Sequence, residues 1–157
     1  MARAVQQTSI LLVEPDPTFR HLLIASAGTA VRVESHARYE TARPRLEAAA
    51  FDLLVANIRL GAYNGLHLVY IARLAGTSIR AVVYEDTYNY GLAREAQLAC
   101  AFYELRERLP VVLPAYLGVP LPDMDRRNPA LFDRRRLARG GRRRWDQHVG
   151  GFPAGPS

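Results

Sequence analysis

Asp52–Val69 reads DLLVANIRLGAYNGLHLV, and the reading of this stretch decides the fold. Leu53, Leu54, Val55 and Ala56 are apolar at consecutive positions, the pattern of a strand covered on both faces of a parallel sheet. Gly61 and Asn64-Gly65 break the chain into a loop, and Leu66 to Ala75 have the spacing of a short helix closed by Gly76. A buried strand that runs through a turn into a helix is one βα unit, and this strand is expected to be central.

The same unit recurs on either side. Upstream, ILLVEPDP (Ile10–Pro17) is an apolar run that ends where Asp16 can cap a helix and Pro17 fits its first position. The helix should reach Ala27 and stop at Gly28, with the apolar members of the stripe Phe19, Leu22, Leu23 and Ser26 facing the core. AVRVES (Ala30–Ser35) alternates Val31 and Val33 with Arg32 and Glu34, as in a half-exposed strand at one side of a sheet. A helix over Tyr39 to Ala50 follows, and Pro44 either kinks it or moves its start to about Ala42. Downstream, Arg80 to Tyr84 forms a fourth strand, followed by the polar loop EDTYNYG and the helix-favouring LAREAQLA. AFYEL (Ala101–Leu105) forms a fifth strand. The stretch from Pro110 to Leu117 is a final helix, broken at Pro114, or an extended connector. Five such units with right-handed crossovers predict an α/β fold with a doubly wound five-stranded parallel sheet.

The 157 residues suit one domain of ordinary size, and no apolar run approaches the roughly 20 residues that cross a bilayer. No signal-peptide core precedes Ser9, so a cytoplasmic protein without membrane contact is expected. The lone Cys100 excludes an internal disulfide and a thiolate cluster, and it is expected to pack as a small buried residue. His21, His36, His67 and His148 show no metal-ligand spacing, and His67 should face solvent. The net charge of +6 lies at one end. Residues 1–121 carry 12 Arg and 11 acids, whereas residues 122–157 carry 9 Arg and 4 Asp, with Arg, Gly and Pro filling 18 of those 36 positions. Three regions are therefore expected: a disordered N-terminus over 1–7, a folded body over 8–121, and a disordered Arg-rich tail over 122–157.

In a doubly wound sheet the residues just past the strands line the crevice. Here they are Glu14 and Asp16, Asn57, Glu85 to Thr87, and Arg106. In these landmarks, ILLVEPDP, DLLVANIRLGAYNGLHLV and VVYEDTYNYGLAREAQLA, the body resembles the CheY-like receiver domain of two-component response regulators. The resemblance implies the flavodoxin-like receiver topology for the sheet, acidic residues after the first strand that hold Mg²⁺, a phosphoacceptor Asp ending the third strand, a Ser or Thr after the fourth and a Lys after the fifth. This chain departs at nearly every place. Asn57 stands at the phosphoacceptor position, and its neutral amide is a poor nucleophile that forms no acyl phosphate. Glu14-Pro15-Asp16 interrupts the acidic pair, so no resident metal or cofactor is expected and only weak Mg²⁺ binding is left open. Glu85 stands at the hydroxyl position, or Thr87 after a two-residue slip. Arg106 is the nearest cation after the fifth strand, where it can pair with Glu14 or Asp16, unless Leu113-Pro114 holds that place instead.

The expected function follows. The chain reads as a degenerate receiver-like module of bacterial signal transduction, acting without phosphorylation by docking a protein such as a sensor kinase or an output protein. Tyr88, Tyr90, Phe102 and Tyr103 are the candidate contact residues, on the face that receivers commonly use. No nucleophile elbow, P-loop or dinucleotide fingerprint is present, so no enzyme is expected. The alternative is a nucleic-acid-binding accessory protein that acts through the tail. There Arg134, Arg135, Arg136, Arg142, Arg143 and Arg144 would neutralise phosphates and Trp145 would stack on a base. The sequence does not fix the oligomeric state.

Overall fold

The structure, a computed structural model, describes residues 7–118. The N-terminus before Gln7 and the Arg-rich tail, with the nucleic-acid candidates Arg134 to Arg136 and Arg142 to Trp145, lie outside the described residues.

The elements run β1 (Ser9–Val13), α1 (Pro17–Ala27), β2 (Arg32–His36), α2 (Tyr39–Ala48), β3 (Leu53–Asn57), β4 (Arg59–Leu60), β5 (Tyr63–Asn64), α3 (Gly65–Leu74), β6 (Arg80–Glu85), α4 (Tyr90–Leu98), β7 (Phe102–Leu105) and α5 (Leu109–Gly118). Five strands form one parallel sheet in the order β2-β1-β3-β6-β7, with the fully buried β3 in the middle as expected. Successive side chains point to opposite faces of a strand, so each strand feeds two cores. Ile10, Leu12, Leu53, Val55 and Val82 pack against Phe19, Leu23, Leu109 and Leu113 of α1 and α5. Leu11, Val13, Leu54, Ala56, Ala81 and Val83 pack against α2, α3 and α4 on the other face. This is the doubly wound, flavodoxin-like architecture. Because β1 connects to β2 on one side while β3 lies on its other side, the sheet reverses direction between β1 and β3, and a crevice opens past their carboxyl ends.

Several local expectations are corrected. In α1 the buried stripe is Phe19, Leu23 and Ala27, a spacing of four residues throughout, while Leu22 is 48% exposed. α2 begins at Tyr39 and absorbs Pro44, whose missing N–H costs one bond on a helix that buries Tyr39, Ala42 and Leu46. The expected loop after β3 contains an antiparallel hairpin of β4 and β5, pinned by Tyr63 stacking on Tyr39 with ring centroids 4.2 Å apart. α5 is one continuous helix through Pro114, whose ring is exposed, and Arg80 donates to the Tyr116 and Leu117 carbonyls at its end. Cys100 is only half-buried and sits in the left-handed region at φ 57°, just past α4.

Candidate functional site

At the carboxyl end of β1 the chain turns directly into α1, and Asp16 makes that turn. One Asp16 oxygen accepts from the N–H groups of Thr18 (2.9 Å) and Phe19 (3.4 Å), an N-cap that Pro17 completes by having no N–H to satisfy. Glu14, the last residue before this turn, is 1% exposed. A buried carboxylate requires donors, and Glu14 has three. The Asp16 N–H gives to Oε1 at 2.8 Å, while the Asn57 amide (3.1 Å) and the Tyr84 hydroxyl (2.5 Å) give to Oε2.

Asn57 and Tyr84 reach Glu14 because they are register partners across β3 and β6 and so share one face. The Asn57 carbonyl oxygen accepts the Arg59 N–H at 2.8 Å, which uses the other end of the amide. Burial, then the charge of Glu14 and the hydrogen bond to it, push the Tyr84 hydroxyl far above the usual phenol range, so Tyr84 acts as a fixed donor. Sequence reading missed this residue. In the run Ala81–Tyr84 it reads as core, and the ring does pack beside Phe19, with only its hydroxyl entering the pocket.

Arg106 lies at the end of β7 on the same side of the sheet. Its guanidinium meets Asp16 at 2.5 Å and Asp86 at 3.4 Å, and it covers the Phe19 ring at 4.3 Å. Partial desolvation works to lower its pKa, but the Asp16 hydrogen bond and the charges of Glu14, Asp86 and Asp16 raise it overall. Asp16 answers with a lowered pKa, because hydrogen bonds from Thr18, Phe19 and Arg106 outweigh desolvation. Of the two partners expected for Arg106, the structure supplies Asp16 as the direct contact.

Glu85 and Thr87 do not enter this cluster. Glu85 follows Tyr84 and therefore points to the opposite face, where Oε1 accepts from Arg59 at 2.8 and 3.0 Å; Oε2 is buried with no partner among the described residues. Thr87 is exposed in the β6–α4 loop, and only its carbonyl is engaged, by the Tyr103 hydroxyl at 3.3 Å. The hydroxyl inside the pocket belongs to Tyr84.

The contact candidates divide likewise. Tyr88 (53% exposed) meets Tyr103 edge-on at 5.6 Å, and Tyr90 is 70% exposed. The Asn89 N–H donates to the Tyr103 hydroxyl at 2.9 Å, which ties the loop to β7. Phe102 faces the other way and packs on Tyr116 of α5, so it stands apart from the three tyrosines.

The chemistry of this donor set does not suit Mg²⁺, which takes oxygen ligands in octahedral array. Both oxygens of Glu14 and both of Asp16 are held by N–H or O–H donors, and the Asn57 oxygen is held by Arg59. Among the described residues no group of three His, Cys, Asp or Glu is arranged to hold an ion.

No family model matches the sequence, and no curated protein is similar to it at a significant level. Solved structures are similar. The CheY-like receiver domain protein from Methanospirillum hungatei superposes with a TM-score of 0.62 at 17% identity, over 72% of this chain and 95% of that one. The Vibrio cholerae chemotaxis protein CheY4 gives 0.61 at 16% identity, over 71% and 97%. This chain has the receiver fold. The receiver fold also matches within a longer protein, the Thermotoga maritima response regulator DrrB, at a TM-score of 0.62 and 16% identity, over 70% of this chain and 50% of that one. Among the described residues of this receiver fold, no helix is long and apolar enough to cross a membrane.

Proposed function

We propose that the chain is a receiver-like module of bacterial signal transduction that works in the cytoplasm by docking a protein partner and does not depend on phosphorylation. The observation that carries this reading is Asn57. It stands at the end of the central strand, 9% exposed, and its amide is spent between Glu14 and the Arg59 N–H. A side chain so placed offers no carboxylate to a phosphoryl donor, which supports a role in binding, without catalysis. Docking is assigned to Tyr88 and Tyr90, because exposed tyrosines supply large contact area with little side-chain entropy to lose, with the partly buried Tyr103 beneath Tyr88.

The test is partner capture by the full chain, with and without acetyl phosphate, beside a Tyr88→Ala/Tyr90→Ala variant. Partner yield should be indifferent to acetyl phosphate and fall in the variant. Yield that rises with acetyl phosphate contradicts the reading.

The composition of residues 122–157, with 9 Arg against 4 Asp, supports a second reading in which the tail binds nucleic acid. If about four to six Arg contact phosphates, log K should fall with log salt at a slope of roughly −4 to −5. Absence of binding to a labelled duplex and single strand at low salt refutes it.

A further inference from the structure

The pocket that fails to suit Mg²⁺ is not left as a bare cluster of carboxylates. Glu14, Asp16 and Asp86 converge where β1 and β6 end, and like charges so placed repel unless a cation stands among them. The cation present is Arg106. One guanidinium nitrogen holds Asp16, which caps α1; another reaches Asp86, which opens the loop leading to Tyr88 and Tyr90. The Arg106 N–H also donates to the Glu85 carbonyl at 2.9 Å, so backbone and side chain together tie β7 to the β6–α4 loop. Its plane lies on Phe19, which excludes water from one side of the ion pair and strengthens it. A planar guanidinium serves two carboxylates at fixed angles, as a compact ammonium does not.

We infer that Arg106 is the resident cation of the pocket: it bridges Asp16 and Asp86 where a divalent ion would otherwise be needed, and so holds the Asp86–Asn89 loop in one position without metal. Arg106 is thereby a positioning residue for the tyrosine face. The inference rests on the docking reading only for the use made of that face; the strap itself stands on the ion pairs.

The experiment is hydrogen–deuterium exchange on the full chain, native and Arg106→Met, with Arg106→Lys and Arg108→Met as comparisons. In Arg106→Met the hydrogen-bonded amides that the strap holds, Asn89 in the loop, position 106 itself, and Thr18 and Phe19 in the first turn of α1, should exchange about tenfold faster, a loss of about one charge-assisted hydrogen bond. Arg106→Lys should recover part of that protection and Arg108→Met should not lose it. Native protein should show the same exchange in millimolar Mg²⁺ as in NaCl of equal ionic strength. Unchanged loop exchange in Arg106→Met, or protection of the native loop by Mg²⁺ beyond the salt control, overturns the inference. Neither result depends on whether a partner docks, so failure of the docking reading remains separately visible.

Discussion

Tyr84 and Glu34 show how single side chains set the behaviour of this receiver fold. Replacing Tyr84 by Phe keeps the ring against Phe19 but leaves the buried Glu14 Oε2 with Asn57 alone. The expected cost is about 1–3 kcal/mol, read as a lower urea midpoint with an unchanged slope. Glu34 acts through pH. Arg45, by a two-pronged hydrogen bond at 2.6 and 3.0 Å, and then His36 hold its carboxyl down to about 2, against an ordinary value of 4.5. A depressed carboxyl stabilises the fold above its unfolded pKa and loses that contribution as pH falls through its folded one. The deficit of Glu34→Gln relative to native protein should therefore be present at neutral pH and shrink between 4.5 and about 2. The pair is partly solvated, so the deficit is small, and a deficit that grows on acidification would contradict the assignment. Asn57, Glu14 and Asp16 were legible as neighbours in the crevice because a strand end and a helix cap mark their places in the sequence. Tyr84 was not, since an apolar run hides which of its members carries a hydroxyl to a carboxylate 70 residues away.

Gly65 joins two elements that the sequence showed unequally well. It is the first residue of α3, and a Cβ there would lie 2.3 Å from the Asn57 carbonyl oxygen, on backbone that cannot yield. Gly65→Ala should thus cost about 1–3 kcal/mol and move amide signals at the end of β3. Loss of neither stability nor signal position would show that α3 can slide outward. The five strands and the helices after them were readable because long apolar runs and their punctuation survive any tertiary context. The β4–β5 hairpin was not, because strands of two residues have no period to detect; its position comes from Tyr63 meeting Tyr39, a contact made only after folding. Pro44 and Pro114 misled for a related reason: a helix anchored by packing tolerates one missing N–H. Leu22 misled because a stripe written at three- and four-residue spacing does not say which side of its width meets the sheet.

At the scale of the whole molecule, the two cores of the described residues are built from side chains between Ile10 and Leu117. Truncation after Leu121 should leave the thermal midpoint nearly unchanged, and a loss of several degrees would show that later residues stabilise the body. The doubly wound sheet was foreseen from the order of strands and helices and its receiver form from the resemblance of the stretches at Ile10, Asp52 and Val82, and the crevice follows from where the strand order reverses. What the crevice does depends on its few polar groups, and here those groups satisfy one another. The central claim is that the pocket has no phosphoryl chemistry left, and intact-mass analysis of the native chain after incubation with acetyl phosphate and Mg²⁺ tests it most directly. The predicted result is an unchanged mass at every time point; a stable phosphoryl adduct on any Asp or Glu of the body would contradict it.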